Sequence, residues 1–110
     1  MKVEEIIKKL SLNAFTGNKG LDRDVQGGYT CDLLSDVMGH SKAGQVWITL
    51  QTHKNVMAVA SLRELAAVII VNGLTPNPDM LEQAEEENIP VLGTTENAFD
   101  VSGKLFKLLG

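Results

Sequence analysis

The stretch Gln45–Val71, QVWITLQTHKNVMAVASLRELAAVIIV, decides the fold. Gln45 to Leu50 is rich in β-branched and aromatic residues and predicts a strand. Asn55 to Ala66 predicts a helix, with Met57, Ala58, Leu62 and Leu65 as its apolar positions. Ala67 to Val71 is a continuous apolar run, the pattern of a strand covered on both faces. Strand, helix and strand in this order predict a parallel pair joined by a right-handed crossover. The pattern then repeats. Asn72-Gly73 and Pro76-Asn77-Pro78 break the chain, Asp79 to Glu87 forms an amphipathic helix with Met80, Leu81 and Ala84 inward, and Ile89 to Leu92 forms a third strand. Asn97 to Leu109 is a final helix, with Lys104 and Lys107 in its last turns, where the helix dipole favours positive charge.

Working back toward the start, the pattern is less regular. Val3, Ile6, Ile7 and Leu10 form one stripe of a short helix, with Glu4, Glu5, Lys8 and Lys9 on its wet side. Ala14 to Thr16 is a short strand, followed by a turn at Gly17, Asn18 and Gly20. A further strand enters through Gly27-Gly28. Asp32 caps a helix through Leu33, Leu34, Val37 and Met38, which Gly39 ends. The expected fold class is α/β: a three-layer α/β/α arrangement with a mostly parallel sheet of about four to five strands. Residues 1–110 read as one domain, without linker, low-complexity tract or repeat.

Composition narrows the class of function. Hydrophobic residues make up 44% of the chain, the ordinary globular share. A chain of this size buries roughly 65% of its unfolded surface and needs no staple. The lone Cys31 has no internal partner, which fits a reducing cytoplasm. The charged start, Met1 to Leu10, is unlike a signal peptide, and the apolar run Ala66 to Val71 is too short to span a bilayer, so no membrane partner is expected. Net charge is −4 and the basic residues are scattered, so no nucleic-acid partner is expected.

Open parallel sheets bind ligands beyond the carboxyl ends of their strands. Those ends are Gln51, Thr52, His53 and Asn55; then Asn72 and Gly73; then Thr94 and Thr95. All three are polar and each leads into a helix, whose free N–H groups suit an anion such as a phosphate. Each residue taken singly is more simply a cap or turn former. Their convergence on one rim carries the binding-site expectation. No catalytic residue and no cofactor is assigned. Phosphate-loop, dinucleotide and GxSxG motifs are absent, and one cysteine with two distant histidines makes neither a zinc nor an iron–sulfur site. A phosphotransfer enzyme would have to be built from Asp32, Ser35, Asp36 and His53, and nothing in their spacing brings these together. Trp47 reads most simply as core, as do Met38, Met57 and Met80.

Asp22-Arg23-Asp24-Val25-Gln26-Gly27-Gly28 resembles an expanded form of the motif that names the DRTGG domain: an Asp-Arg, then a Gly pair. Asp32 to Met38, Val46 to His53 and Asn72-Gly73-Leu74 resemble stand-alone members of that family. The likeness covers roughly Leu21 to Leu109. It departs from the compact motif in the three residues between Arg23 and Gly27. The resemblance implies a fold like the N-terminal domain of HPr kinase. It implies a non-catalytic regulatory part that forms a homodimer and binds an adenine nucleotide or another phosphorylated metabolite, with a larger regulatory or metabolic enzyme as a further partner. Arg23 either reaches a ligand phosphate or fixes its own loop. The alternative reading is a docking module that binds protein only, through the small residues Ala58, Ala60, Ser61 and Ala66 of the stretch Asn55 to Ala67.

Overall fold

The computed structural model describes residues 1–110. The stretch Gln45–Val71 folds as a βαβ unit, with strand β3 at Gln45–Thr49 and strand β4 at Ala67–Ile70. The two are parallel, with Val46 beside Ala67 and Thr49 beside Ile70. The helix between them, α3, spans Asn55–Leu62. It is shorter than the apolar pattern predicts, because Glu64 turns left-handed at φ 54° just beyond its end. Its buried residues are Val56, Met57, Val59 and Ala60. Ala58 and Leu62, expected inside, face solvent, and Leu65 is buried beyond the helix end. The buried stripe at 56, 59 and 60 and the expected one at 58, 62 and 65 both have helical spacing, and packing on the sheet selects the first.

The other elements follow in chain order as helix α1 (Val3–Lys9), strand β1 (Asn13–Ala14), strand β2 (Gly27–Thr30) and helix α2 (Leu34–His40). Beyond β4 come helix α4 (Pro78–Glu87), strand β5 (Val91–Gly93) and helix α5 (Ala98–Leu109). The sheet order is β1-β5-β4-β3-β2, parallel except for β1, which is antiparallel to β5. The mostly parallel α/β sheet expected from the sequence is thus present.

Several boundaries differ from expectation. The first strand is Asn13–Ala14, since Thr16 already leaves the ladder and uses its hydroxyl to accept the Val91 N–H at 3.1 Å. The last strand begins at Val91, because left-handed Asn88 redirects the chain out of α4. Gly39 does not end α2, which runs on to His40 and stops where Ser41 becomes extended and donates its hydroxyl to the Val37 carbonyl at 2.6 Å. Asp32 does not cap α2. Its carboxylate accepts the Thr49 hydroxyl at 2.9 Å and the Leu50 N–H at 2.8 Å, tying the carboxyl end of β3 to the segment after β2.

From β2 to β5 the strands add in one direction across the sheet. Right-handed crossovers in one direction put all their helices on one face. That face is covered by α2, α3 and α4, through Val37, Val56, Met57, Met80 and Ala84, packed on Trp47, Val68, Ile70 and Val91. The other face is covered by α1 and α5, through Val3, Ile6, Leu10, Val101 and Leu105, packed on Val46, Ile48, Ile69 and Leu92. The three expected layers are formed in this way. Trp47, Met57 and Met80 are fully buried, and Met38 is half-buried.

Candidate functional site

The chain changes face at β5. The loop after β4 leads to α4 on one face, and the loop after β5 leads to α5 on the other. Open α/β sheets offer a crevice where neighbouring connections diverge in this way. Here the two loops are sewn together: Asn72 donates its N–H to the Glu96 carbonyl at 2.9 Å, and Gly73 to the Thr94 carbonyl at 2.8 Å. The open space therefore lies on the flanks of this seam. One groove of about 660 Å³ runs past Thr94 and Thr95 between Lys9 and Ser11, at the end of α1, and Lys104 and Lys107 of α5. A second, of about 410 Å³, shares Ser11, Thr94 and Thr95 and extends over Asn13 and Phe15 to Gly73 and Thr75. Gly93 forms part of its floor and has no room for a side chain, since a Cβ there would lie 2.5 Å from the Phe15 ring.

The first groove is electropositive. Three lysines line it against one glutamate, leaving a local charge of +2 on a chain of net −4. Lys104 Nζ is 2.5 Å from Glu96 Oε1. Lys9 and Lys107 have no carboxylate partner. Hydroxyls of Ser11, Thr94 and Thr95 supply neutral donors beside them, although Thr94 Oγ1 already accepts the Glu96 N–H at 3.1 Å. A concentration of cations and hydroxyls at strand ends suits an anionic ligand of a few phosphate groups.

Of the residues expected at the rim, Gly73, Thr94 and Thr95 line these grooves, and Asn72 forms the seam beside them at φ 60°. Gln51, Thr52, His53 and Asn55 do not. They lie two strands away, at the end of β3. There the Gln51 side chain donates to the Asp32 carbonyl at 2.9 Å, and the Thr52 carbonyl accepts the Asn77 N–H at 3.0 Å. Arg23 lies at the opposite end of the sheet, donating to the Leu65 carbonyl at 3.1 Å just before β4. A concavity of about 720 Å³ adjoins it, but Glu4 and Asp22 offset Lys19 and Arg23 there. Arg23 thus lies away from the rim, and its guanidinium ties its loop to the segment before β4. Lys9, Ser11, Lys104 and Lys107 were not expected at the site.

The candidate phosphotransfer residues are dispersed. Asp32 is engaged with Thr49 and Leu50, and no hydrogen bond joins His53 to Asp32, Ser35 or Asp36. No group of three or more His, Cys, Asp or Glu residues is placed to hold a metal ion, and no helix is long and apolar enough to cross a membrane. Asp36 instead accepts the Tyr29 hydroxyl at 2.5 Å and lies 3.2 Å from His40 Nδ1. The Tyr29 bond, then Cys31 and His40, hold the Asp36 carboxyl below its ordinary value of 3.8. The same bond, then burial, pushes the Tyr29 hydroxyl from 10.0 up to about 12.

A pH dependence of stability follows from this pair. The Asp36 contribution is complete above 3.8 and lost as pH falls through its lowered folded value. The Tyr29 contribution is complete below 10.0 and lost as pH rises through about 12. Tyr29→Phe is therefore expected to be less stable than wild type from about pH 4 to 10, with the difference closing at both extremes. Denaturation across pH checks this. A difference that is flat across the whole range would contradict it.

A sequence model of the DRTGG domain matches residues 5–108. No curated protein matches by sequence. Among solved structures, the chain is similar to the crystal structure of the CBS and DRTGG domains of the regulatory region of Clostridium perfringens pyrophosphatase, complexed with its activator, diadenosine tetraphosphate. The TM-score is 0.69 at 16% identity, over 96% of this chain and 46% of that one. The chain thus spans less than half the length of that structure. At this identity the likeness shows a shared fold.

Proposed function

The chain belongs to the DRTGG domain family, and from that premise we propose that it is a regulatory domain without catalysis of its own. It binds an adenine nucleotide or another small phosphorylated ligand in the groove beside Thr94 and Thr95, and it works as a cytoplasmic homodimer. The observation that carries this reading is the pair of unpartnered lysines, Lys9 and Lys107, facing strand-end hydroxyls on an otherwise acidic chain. The solved regulatory region that shares the fold binds an adenine-containing activator, which supports the choice of ligand class. A larger metabolic enzyme is the natural partner of such a domain. In this role Lys9 and Lys107 neutralise phosphate charge, Ser11 and Thr95 donate to its oxygens, and the base lies along the second groove toward Thr75.

Thermal unfolding against ATP, ADP, AMP and diadenosine tetraphosphate tests this. A ligand at 100 times its Kd is expected to add about 2.7 kcal/mol. Lys9→Ala should reduce the gain and leave the unliganded midpoint nearly unchanged, because this side chain is exposed and carries no ion pair. No gain with any of these ligands at millimolar concentration would overturn the assignment.

A further inference from the structure

We infer that α5 is the homodimer interface and pairs antiparallel with the α5 of a second copy about an axis beside Gly103. This rests on the dimeric part of the proposed function and names the surface. Phe99 and Phe106 are 86% and 80% exposed, the largest values among the big apolar side chains. They stand seven residues apart, two helical turns, and so share one stripe. Between them Gly103 meets open space, so the helix backbone is bare there and a second helix can come close. Phe99 and Phe106 also rim a depression of about 340 Å³ that reaches Gly28 and Thr30 on β2, the free edge of the sheet.

The charges beside the stripe choose the occupant. The first half of α5 carries Asp100 and the second half Lys107, on the same flank and again seven residues apart. Neither has an ion-pair partner within the chain. An antiparallel copy sets Asp100 against Lys107 of the partner subunit, and the reciprocal pair forms by symmetry. The same rotation lays Phe99 on Phe106 of the partner subunit and opposes the two helix dipoles. A pattern that runs acid to base along one helix and is satisfied by its own reversal is the signature of an isologous contact. Aromatic side chains around a small central residue supply the packing.

Sedimentation equilibrium of the full chain across micromolar concentrations tests this. Wild type is expected to dimerise, and Phe99→Ser with Phe106→Ser to weaken the dimer by about 30-fold or more. Asp100→Lys and Lys107→Asp should each weaken it, and the two together restore it. A wild-type monomer at high micromolar concentration overturns the interface, as does a dimer indifferent to the double serine variant when that variant keeps its thermal midpoint. Nucleotide stabilisation is measured on the same samples. If the double serine variant is monomeric yet still stabilised by nucleotide, the interface stands and a single subunit, its Lys107 freed from the dimer contact, is enough to bind the ligand. Nucleotide stabilisation of a monomeric wild type defeats the interface and leaves the ligand reading intact.

Discussion

Trp47→Ala is expected to cost about 3–5 kcal/mol of folding stability, measured by chemical denaturation. Trp47 is the largest fully buried side chain and sits mid-strand in β3, with Tyr29 and Val68 beside it on the neighbouring strands. Val37 and Met57 belong to the same apolar cluster from the helices above. Truncation leaves a cavity under three helices that no flexible loop can refill, so relaxation is small and the cost lies high in the range for such changes. The indole also donates to the Cys31 carbonyl at 2.8 Å, holding the chain as it leaves β2. Trp47→Phe separates the two roles. It keeps most of the packing and loses the hydrogen bond, worth about 1 kcal/mol. Because domains are stable by only about 5–15 kcal/mol, the alanine variant should be largely unfolded at modest denaturant. A loss below about 1 kcal/mol would contradict this account of the core.

Gly20→Ala is expected to cost about 2–5 kcal/mol, from two separable causes. Gly20 holds φ +82°, where a side chain costs about 1–2 kcal/mol. A Cβ there would also lie 2.5 Å from the Asn88 carbonyl oxygen and 2.8 Å from the Pro90 ring. One is backbone and the other a ring fixed at the entry to β5, so neither gives way cheaply, and overpacking adds about 1–3 kcal/mol. Gly39→Ala is the control. Gly39 lies inside α2 with nothing within 4 Å of the would-be Cβ, so alanine should stabilise by about 0.5–1 kcal/mol. Equal midpoints for the two variants would contradict the turn geometry.

The parallel half of the sheet was legible because its strands are covered on both faces and therefore run apolar without interruption, as Ala67 to Ile70 do. The rim was legible in kind for the same reason: strand ends can be placed once strands are. Which part of the rim opens into a groove was not legible. It depends on α1 and α5 meeting beside β5, a contact between the two ends of the chain. Lys9 and Lys107 look like ordinary wet-side and dipole-compensating lysines until that contact brings them together. The position of Arg23 was not legible for a related cause, since Gly20 to Gln26 has no periodicity to say at which end of the sheet it lies. The Asn55–Leu62 helix shows a third limit. It is so apolar that its pattern does not single out one face, and only the sheet beneath selects Val56, Val59 and Ala60 over Ala58 and Leu62.

The antiparallel β1 has a bearing on the order in which the molecule assembles. As the chain emerges during synthesis, β3, β4 and β5 can each dock on the strand made just before, but Asn13–Ala14 must wait for Val91–Gly93. The loop this closes is long, yet its entropic cost grows only with the logarithm of length. The penalty is therefore one of timing: of the five strands, the one made first is seated last. It is held by two paired residues and by the Phe15 and Thr16 bonds to Val91, so it is also the first to detach in local unfolding. Its departure would carry Ser11 out of the groove and expose the edge of β5, making the groove a property of the finished chain alone.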